Sequence, residues 1–340
     1  MLKSRLCIAF FAFAVGCAPA QKPLTDYVNP MLGTATLWDS VDLGFKPTKR
    51  TWGAEVFPGS SLPNAMVQVS PVTKFHSGAG YQYEDSVIYG FTHTNKGHWN
   101  LCHIPLLPVT GTPTPGDYCS PFSHERESAA PGYYQVFLDR YGVDAQLSST
   151  LRCAFHKYTY PAGAAASLLA DLQRSNEHVR AWDIRKEGDN VFAGWQQTGE
   201  KMYFYAVANR PVTGIEPVVE GDREVRIVRF GEGDGALELR IGFSFVSEKN
   251  ARENLEAEML GKSFAEVRSE ATATWNDLLG RIRVEGGTER EKGLFYSSLY
   301  RSFLWPALRS DVNGEFTDVD GKVINPGFRY YTGPTTTAIS

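Results

Sequence analysis

The hydrophobic period of this chain changes once, near residue 249, and that change limits what it can fold into. From Leu24 to about Val246 the text is strand-like: short runs rich in Val, Tyr, Phe and Thr, separated by Gly and Pro. Residues 66–70, 132–138 and 157–160 are examples, and no helical pattern intervenes. Many such strands predict a large antiparallel sandwich. Residues 224–227 alternate charge and hydrophobe, and 228–230 resume one residue out of phase, so a bulge at Ile227-Val228 is expected. Residues 237–241 alternate again. Gly231, Gly233 and Gly235 lie between the two runs, which predicts a hairpin.

Beyond 249, Leu255, Met259, Phe264, Val267, Ala271, Trp275, Leu278 and Leu279 recur at mostly three- to five-residue intervals. This is the pattern of an amphipathic helix, broken near Gly261 and ended by Gly280. Residues 281–285 read as a short strand closed by Gly286-Gly287. A further helix carries Leu294, Phe295, Leu299 and Phe303 on one side and stops at Pro306. The residues after it read as loop and turn and cannot build a second helical domain. Either that helix packs back on the sandwich or the chain is cut short.

The first twenty residues are an export signal, not fold. Lys3 and Arg5 precede a short apolar stretch, 6–15. Ala18-Pro19-Ala20 resembles a cleavage site. Ala14-Val15-Gly16-Cys17 resembles a lipobox, with Cys17 as the lipid anchor, and the lipoprotein reading is preferred. Export makes periplasm or outer membrane the expected location, or secretion without the anchor. Cys102, Cys119 and Cys153 allow one disulfide and one thiol, or none.

The formal net charge is -4, which leaves no basic excess for phosphates, so nucleic acid is not an expected partner. The 16 Tyr and 7 Trp serve β cores first, and sugar faces second. Three clusters carry polar chemistry. Residues 51–64 combine Trp52 and Glu55 with Gly and Pro, and are read as an ordered loop or a tight turn. Residues 91–100 set His93, Asn95, Lys96, His98 and Asn100 around Trp99. That mixture suits a polyhydroxylated ligand, and plain loop structure or a metal on His93, His98 and His103 are the rivals. The third is a set of carboxylates, Glu84, Asp85, Glu125, Glu127 and Glu177. Glycosidic hydrolysis needs two such groups, but most exposed acids are solvated face.

Tyr27-Val28-Asn29-Pro30-Met31-Leu32-Gly33-Thr34 resembles the opening of family 92 glycoside hydrolases. Phe57-Pro58-Gly59, Leu62-Pro63-Asn64, Tyr89-Gly90-Phe91-Thr92-His93-Thr94, Pro131-Gly132-Tyr133-Tyr134, Trp275-Asn276 and Phe295-Tyr296-Ser297-Ser298-Leu299-Tyr300 follow in that family's order. The resemblance runs from about Tyr27 to Tyr331. It implies the N-terminal part of an exported, calcium-dependent, inverting α-mannosidase acting on α-mannosides or mannose-rich N-glycans. The implied architecture is mainly β: a large antiparallel β-sandwich, a helical linker and the first helix of a truncated α/α barrel. The expected boundaries are 1–20 signal, 21–247 sandwich, 248–287 linker with a short strand, and 288–340 barrel start.

The resemblance places the family's acid, base and calcium ligands downstream in the barrel. Calcium is therefore expected for the full-length family and none for this fragment, which is expected to lack turnover alone. After Tyr330-Tyr331-Thr332 the family continues with Trp-Asp-Thr, whereas this sequence reads Gly333-Pro334-Thr335 and ends at Ser340. The sandwich's expected share of the sugar cleft is Trp52, Glu55, Lys96, His98 and Trp99. Residues 95–100 depart from the Ser-Gly-rich stretch of many relatives, so an α-1,2 preference is not carried over. Two other readings stand beside this one: a free-standing carbohydrate-binding lipoprotein, and a remnant with a sticky barrel-side face.

Overall fold

The computed structural model describes residues 22–36, 56–96 and 99–332. The signal region with Cys17 lies outside the described residues, as do Trp52, Glu55 and His98. Among the described residues no helix is long and apolar enough to cross a membrane.

The strand-like text folds as two stacked antiparallel sheets. Strands are numbered here for these two sheets only: β1 (Ser60–Ser61), β2 (Gln68–Val72), β3 (Gly90–Thr92), β4 (Leu106–Val109), β5 (Glu127–Ala130), β6 (Tyr133–Leu138), β7 (Val143–Ser149) and β8 (Cys153–Thr159). They continue with β9 (Ser167–Ala170), β10 (Ala181–Gly188), β11 (Val191–Gln197), β12 (Lys201–Ala208), β13 (Val212–Glu220), β14 (Arg223–Phe230) and β15 (Leu237–Ser244). The seven-stranded sheet runs β1-β2-β3-β4-β9-β14-β13, and the eight-stranded sheet runs β10-β11-β12-β15-β8-β7-β6-β5.

Alternation is clearest along β12. Met202, Phe204, Ala206 and Ala208 are buried in the core between the sheets, while Lys201, Tyr203, Tyr205 and Val207 face outward and stay partly exposed. A period of two with one apolar set is what a strand with one covered face requires.

Two sequence expectations fail here for topological reasons. β14 and β15 do not form a hairpin. β14 pairs with β9 and β13, and β15 pairs with β8 and β12, so the glycines between them carry the chain from one sheet to the other. Nor is there a bulge at Ile227-Val228. Both are fully buried on a strand in unbroken register with β9, because that strand is covered on both faces. The register shift lies on the partner strand, between Val212 and Gly214.

Past β15 the helices are α1 (Glu248–Glu258), α2 (Phe264–Leu279) and α3 (Glu289–Ser302). The expected break is real: Gly261 adopts φ +91° between α1 and α2, a conformation that costs glycine little. Gly280 caps α2, as expected. Ser263 with Glu266 and Thr288 with Glu291 form capping boxes at the starts of α2 and α3. α1 lies flush on β15, where a Cβ on Gly242 would come within 2.1 Å of the Ala251 carbonyl oxygen.

Residues 281–285 are not a strand. Their alternation meets no partner strand, and the segment is instead tied by Tyr296, whose hydroxyl lies 3.3 Å from both the Val284 nitrogen and the Ile282 oxygen. On α3 the fully buried face is Tyr296, Ser297 and Tyr300, while Leu294 is 40% exposed. The expected stripe is thus displaced: Phe295, Leu299 and Phe303 flank the buried tyrosines. Those tyrosines join Leu24, Val28, Phe57, Trp275, Leu279 and Leu304 in a second core, so α3 packs on α2 and on the short helical turn Leu24–Tyr27. The three cysteines are free thiols, which resolves the disulfide question to none.

The segment after α3 is pinned to the sandwich by Asp311. Its buried carboxylate accepts hydrogen bonds from Ser244 Oγ (2.6 Å), Asn250 Nδ2 (2.9 Å) and Asn254 Nδ2 (2.7 Å). Burial pushes this carboxyl up, and those three donors pull against it. Arg152 Nε donates to the Ser310 oxygen at 2.8 Å. The short strand Ala307–Leu308 pairs with Tyr331–Thr332. This anchoring holds residues 305–309 over one end of the sandwich.

Candidate sugar-binding cavity

Residues 305–309 form one wall of a cavity of ≈ 370 Å³, with Trp305 and Arg309 among its lining residues. The opposite wall comes from the ends of the eight-stranded sheet: Gly199 and Glu200 from the turn joining β11 to β12, and Phe245 just past β15. Met66, Glu177, Thr94 and Leu101 complete the site.

Thr94 and Leu101 flank a two-stranded hairpin, Asn95–Lys96 with Trp99–Asn100. Its base is closed by the Leu101 nitrogen on the Thr94 oxygen at 3.0 Å, and Asn176 Nδ2 donates to the Asn100 oxygen at 2.6 Å. Thr94, from the cluster singled out around Trp99, and Leu101 just after it therefore line the cavity. The backbones of Lys96 and Trp99 belong to that hairpin, whereas Trp52, Glu55 and His98 lie outside the described residues.

Glu177 is the best-prepared group in the cavity. Thr198 Oγ1 donates to its Oε2 at 2.6 Å. Because that hydroxyl proton is spent on Glu177, the 2.9 Å contact from His103 Nε2 to Thr198 must be His103 donating. Thr94 Oγ1 lies 2.8 Å from His103 Nδ1. A buried histidine thus orients a threonine, which orients a carboxylate. His103 Nε2 is 3.7 Å from Glu177 Oε2. The His103 ring and the Thr198 hydroxyl hold the Glu177 carboxyl down at about 2, against the upward pull of partial burial. The side chain remains 42% exposed, so a ligand can reach it.

Glu200 and Arg309 form an ion pair in the cavity lining, with Arg309 Nη2 2.7 Å from Glu200 Oε2 and the guanidinium 3.6 Å over the Phe245 ring. The Trp305 indole nitrogen is buried without a hydrogen-bond partner. Donors, acceptors and apolar surface of this kind are what a polyhydroxylated ligand needs.

Three of the remaining carboxylates singled out in the sequence are structural. Glu84 accepts from the Thr36 nitrogen and hydroxyl at 2.6 and 3.0 Å, and Asp85 accepts from Thr73 at 2.7 Å. Glu125 lies in the helical turn His124–Arg126. Glu127 is saturated by Tyr81, Tyr134 and His124. The metal alternative also fails for two of its three histidines. His93 Nε2 lies 3.0 Å from His156 Nε2 in the core, where burial lowers it to about 3, and His103 is committed to Thr94 and Thr198. Among the described residues no three His, Cys, Asp or Glu converge on a metal position.

Sequence reasoning noted Glu177 among the acids but did not place it in the site, and missed Glu200, Trp305 and Arg309. Nothing local marks them. They meet only because the β11–β12 turn and the segment pinned by Asp311 converge.

The chain matches the glycosyl hydrolase family 92 N-terminal domain over residues 27–254 and the glycosyl hydrolase family 92 catalytic domain over residues 250–335. An uncharacterized secreted glycosidase of Arthroderma benhamiae is 24% identical over 344 residues, covering 85% of this chain and 42% of that protein. The family GH92 α-mannosidase BT3965 from Bacteroides thetaiotaomicron superposes with a TM-score of 0.81 at 26% identity, covering 92% of this chain and 45% of that one. A structure of that enzyme in complex with mannoimidazole gives the same TM-score, 0.81. The inverting mannosidase BT2199 of the same organism shares the fold, with a TM-score of 0.74 at 23% identity over 91% of this chain and 44% of its own. The chain thus spans under half the length of these relatives. With one family domain matched across most of its length and the next matched from α1 onward, it belongs to glycosyl hydrolase family 92.

Proposed function

We propose that this chain supplies the sandwich-side wall of the mannoside cleft of an exported α-mannosidase, with Glu177 accepting sugar hydroxyls. The observation that carries the reading is the Glu177 carboxylate, aimed by Thr198 and His103 yet 42% exposed to a cavity of ≈ 370 Å³. The family relatives named mannosidases, one of them seen with mannoimidazole, support an α-mannoside or mannose-rich glycan as the ligand.

Binding is proposed here rather than turnover by this wall alone. An inverting glycosidase needs one carboxyl kept protonated to donate to the leaving oxygen and a second to activate water. Glu177 is ionised down to about pH 2, the opposite of a poised acid. Glu200 is engaged by Arg309. Neither is set up to give a proton. In this reading the acid, the base and the calcium of the complete family enzyme come from residues other than those described. Export by way of the N-terminal signal fits the secreted relative, and Cys17 is the proposed lipid anchor.

Calorimetry of the 340-residue chain with methyl α-mannoside tests the reading. Heat that is lost in Glu177→Gln supports it. Equal affinity in the two proteins removes Glu177 from the site. Calcium-dependent turnover of an aryl α-mannoside by this chain, abolished in Glu177→Gln, would contradict a purely binding role.

A further inference from the structure

The turn that brings Gly199 and Glu200 to the cavity leads straight into a strip of aromatic side chains on the outer face of the eight-stranded sheet. On β12 the outward set is Lys201, Tyr203 and Tyr205. On β11 Trp195 stands directly across from Tyr203, and both rings are partly exposed. The Lys201 ammonium lies 3.6 Å from the centre of the Trp195 ring and 5.0 Å from that of Tyr203, so one cation spans both. The strip ends where α1 covers the same face, with the Arg252 guanidinium 5.7 Å from the Tyr205 ring.

Three features bear on what could lie there. Sheet pairing fixes the position of the rings, so little order is lost when a ligand stacks on them. Lysine is long and flexible, and its contact with a solvent-facing ring is weak, so the ammonium can leave the ring and donate to a hydroxyl. The strip also begins at Lys201, the residue after Glu200, which itself lines the cavity. A flat apolar surface with a movable donor, one residue along the chain from a polar cavity of ≈ 370 Å³, matches a pyranose chain: C–H faces for the rings, hydroxyls for the cation.

We propose that Trp195, Lys201 and Tyr203 form an accessory glycan-contact strip, which holds the sugar units next to the one in the cavity. The inference rests on the reading of that cavity as a sugar site. It assigns to the sandwich a preference for oligosaccharides over single sugars. The alternative is that the two rings only stabilise the sheet and Lys201 only caps them.

The test compares methyl α-mannoside with an α-linked mannotriose on the full chain, by calorimetry and by quenching of tryptophan fluorescence. The expected result is a trisaccharide bound about three- to tenfold more tightly than the monosaccharide, the range that aromatic stacking supplies. Trp195→Ala and Tyr203→Ala should erase that advantage and leave monosaccharide affinity unchanged. Lys201→Met, which keeps the aliphatic stem, should erase part of it. The thermal midpoint of each variant reports whether the sheet is intact, and Trp195→Phe, which keeps a ring, should retain most of the advantage. Equal affinity for both sugars in the wild-type chain overturns the strip, and so does a Trp195→Ala variant that weakens both sugars alike. If neither sugar binds the wild-type chain, the cavity reading fails and takes the strip with it.

Discussion

Two carboxylate–histidine clusters among the described residues are built to opposite ends. Around Glu127 everything is closed. Its side chain is 1% exposed, and its oxygens take the Tyr81 hydroxyl at 2.9 and 3.0 Å, the Tyr134 hydroxyl at 2.6 Å and His124 Nδ1 at 2.5 Å. His124 in turn stacks on Tyr83, with ring centroids 3.8 Å apart. Burial and the neighbouring carboxylate raise both tyrosines, so they remain proton donors at any ordinary pH. Around Glu177 only one side is occupied: Thr198 and His103 hold the carboxylate from behind, and the front opens into the cavity. A buried charge whose donors all come from the protein can only hold structure together. The same charge with donors on one side is available to a ligand.

That contrast gives ordered expectations. The largest effect should follow Glu127→Leu, which strands the Tyr81 and Tyr134 hydroxyls and takes the carboxylate from His124. It should lower unfolding free energy by about 3–5 kcal/mol in urea titrations, and a loss below ~1 kcal/mol would break the contrast from the structural side. Glu177→Gln should do the reverse. Sugar affinity should fall by about ten- to a hundredfold, the worth of a hydrogen bond to a charged group. Stability should move by less than about 1 kcal/mol, because the group is part exposed.

Acid titration should separate fold from site next. His93, lowered to about 3 by burial, binds no proton in the folded chain where the unfolded chain does. Stability should therefore decline as pH falls from about 6.5 toward 3, by on the order of 4 kcal/mol from this residue over that window. Glu177 has the same sign in a lower window. Its folded value of about 2 lies below the unfolded one, so its contribution is intact above about pH 4.5 and fades only as pH falls toward 2. Denaturation midpoints measured on wild type and Glu177→Gln should thus run parallel from pH 7 to 5. Divergence in that range would show that something else controls the Glu177 charge. The smallest effect should be Thr198→Val, which removes the bond that aims Glu177 and should weaken sugar binding only several-fold, with Glu177 itself still present.

What the sequence disclosed follows the reach of each signal. Strand alternation, the helical period after residue 249, the stops at Gly261 and Gly280 and the end of α3 before Pro306 are written in neighbouring residues, and the fold has them all. The crossing from β14 to β15 was hidden because three glycines show that the chain bends without showing which sheet it joins. Residues 281–285 have a strand's alternation and no strand to pair with, so the pattern misled. The site divides the same way. Residues 91–100 stood out by composition, and Thr94 among them lines the cavity. Glu177, Glu200 and Arg309 are ordinary charged residues in the text, and only the convergence of the β11–β12 turn with the segment held by Asp311 gives them a common purpose. Legible chemistry was local chemistry; the assembled part of the site needed tertiary structure.

A crystal structure of this chain soaked with methyl α-mannoside is the most direct test of the central claim. The account predicts sugar density in the cavity between Glu177, Glu200 and Arg309, with a sugar hydroxyl within hydrogen-bonding distance of the Glu177 carboxylate. A sugar bound elsewhere on the sandwich, with Glu177 untouched at saturating ligand, would contradict it.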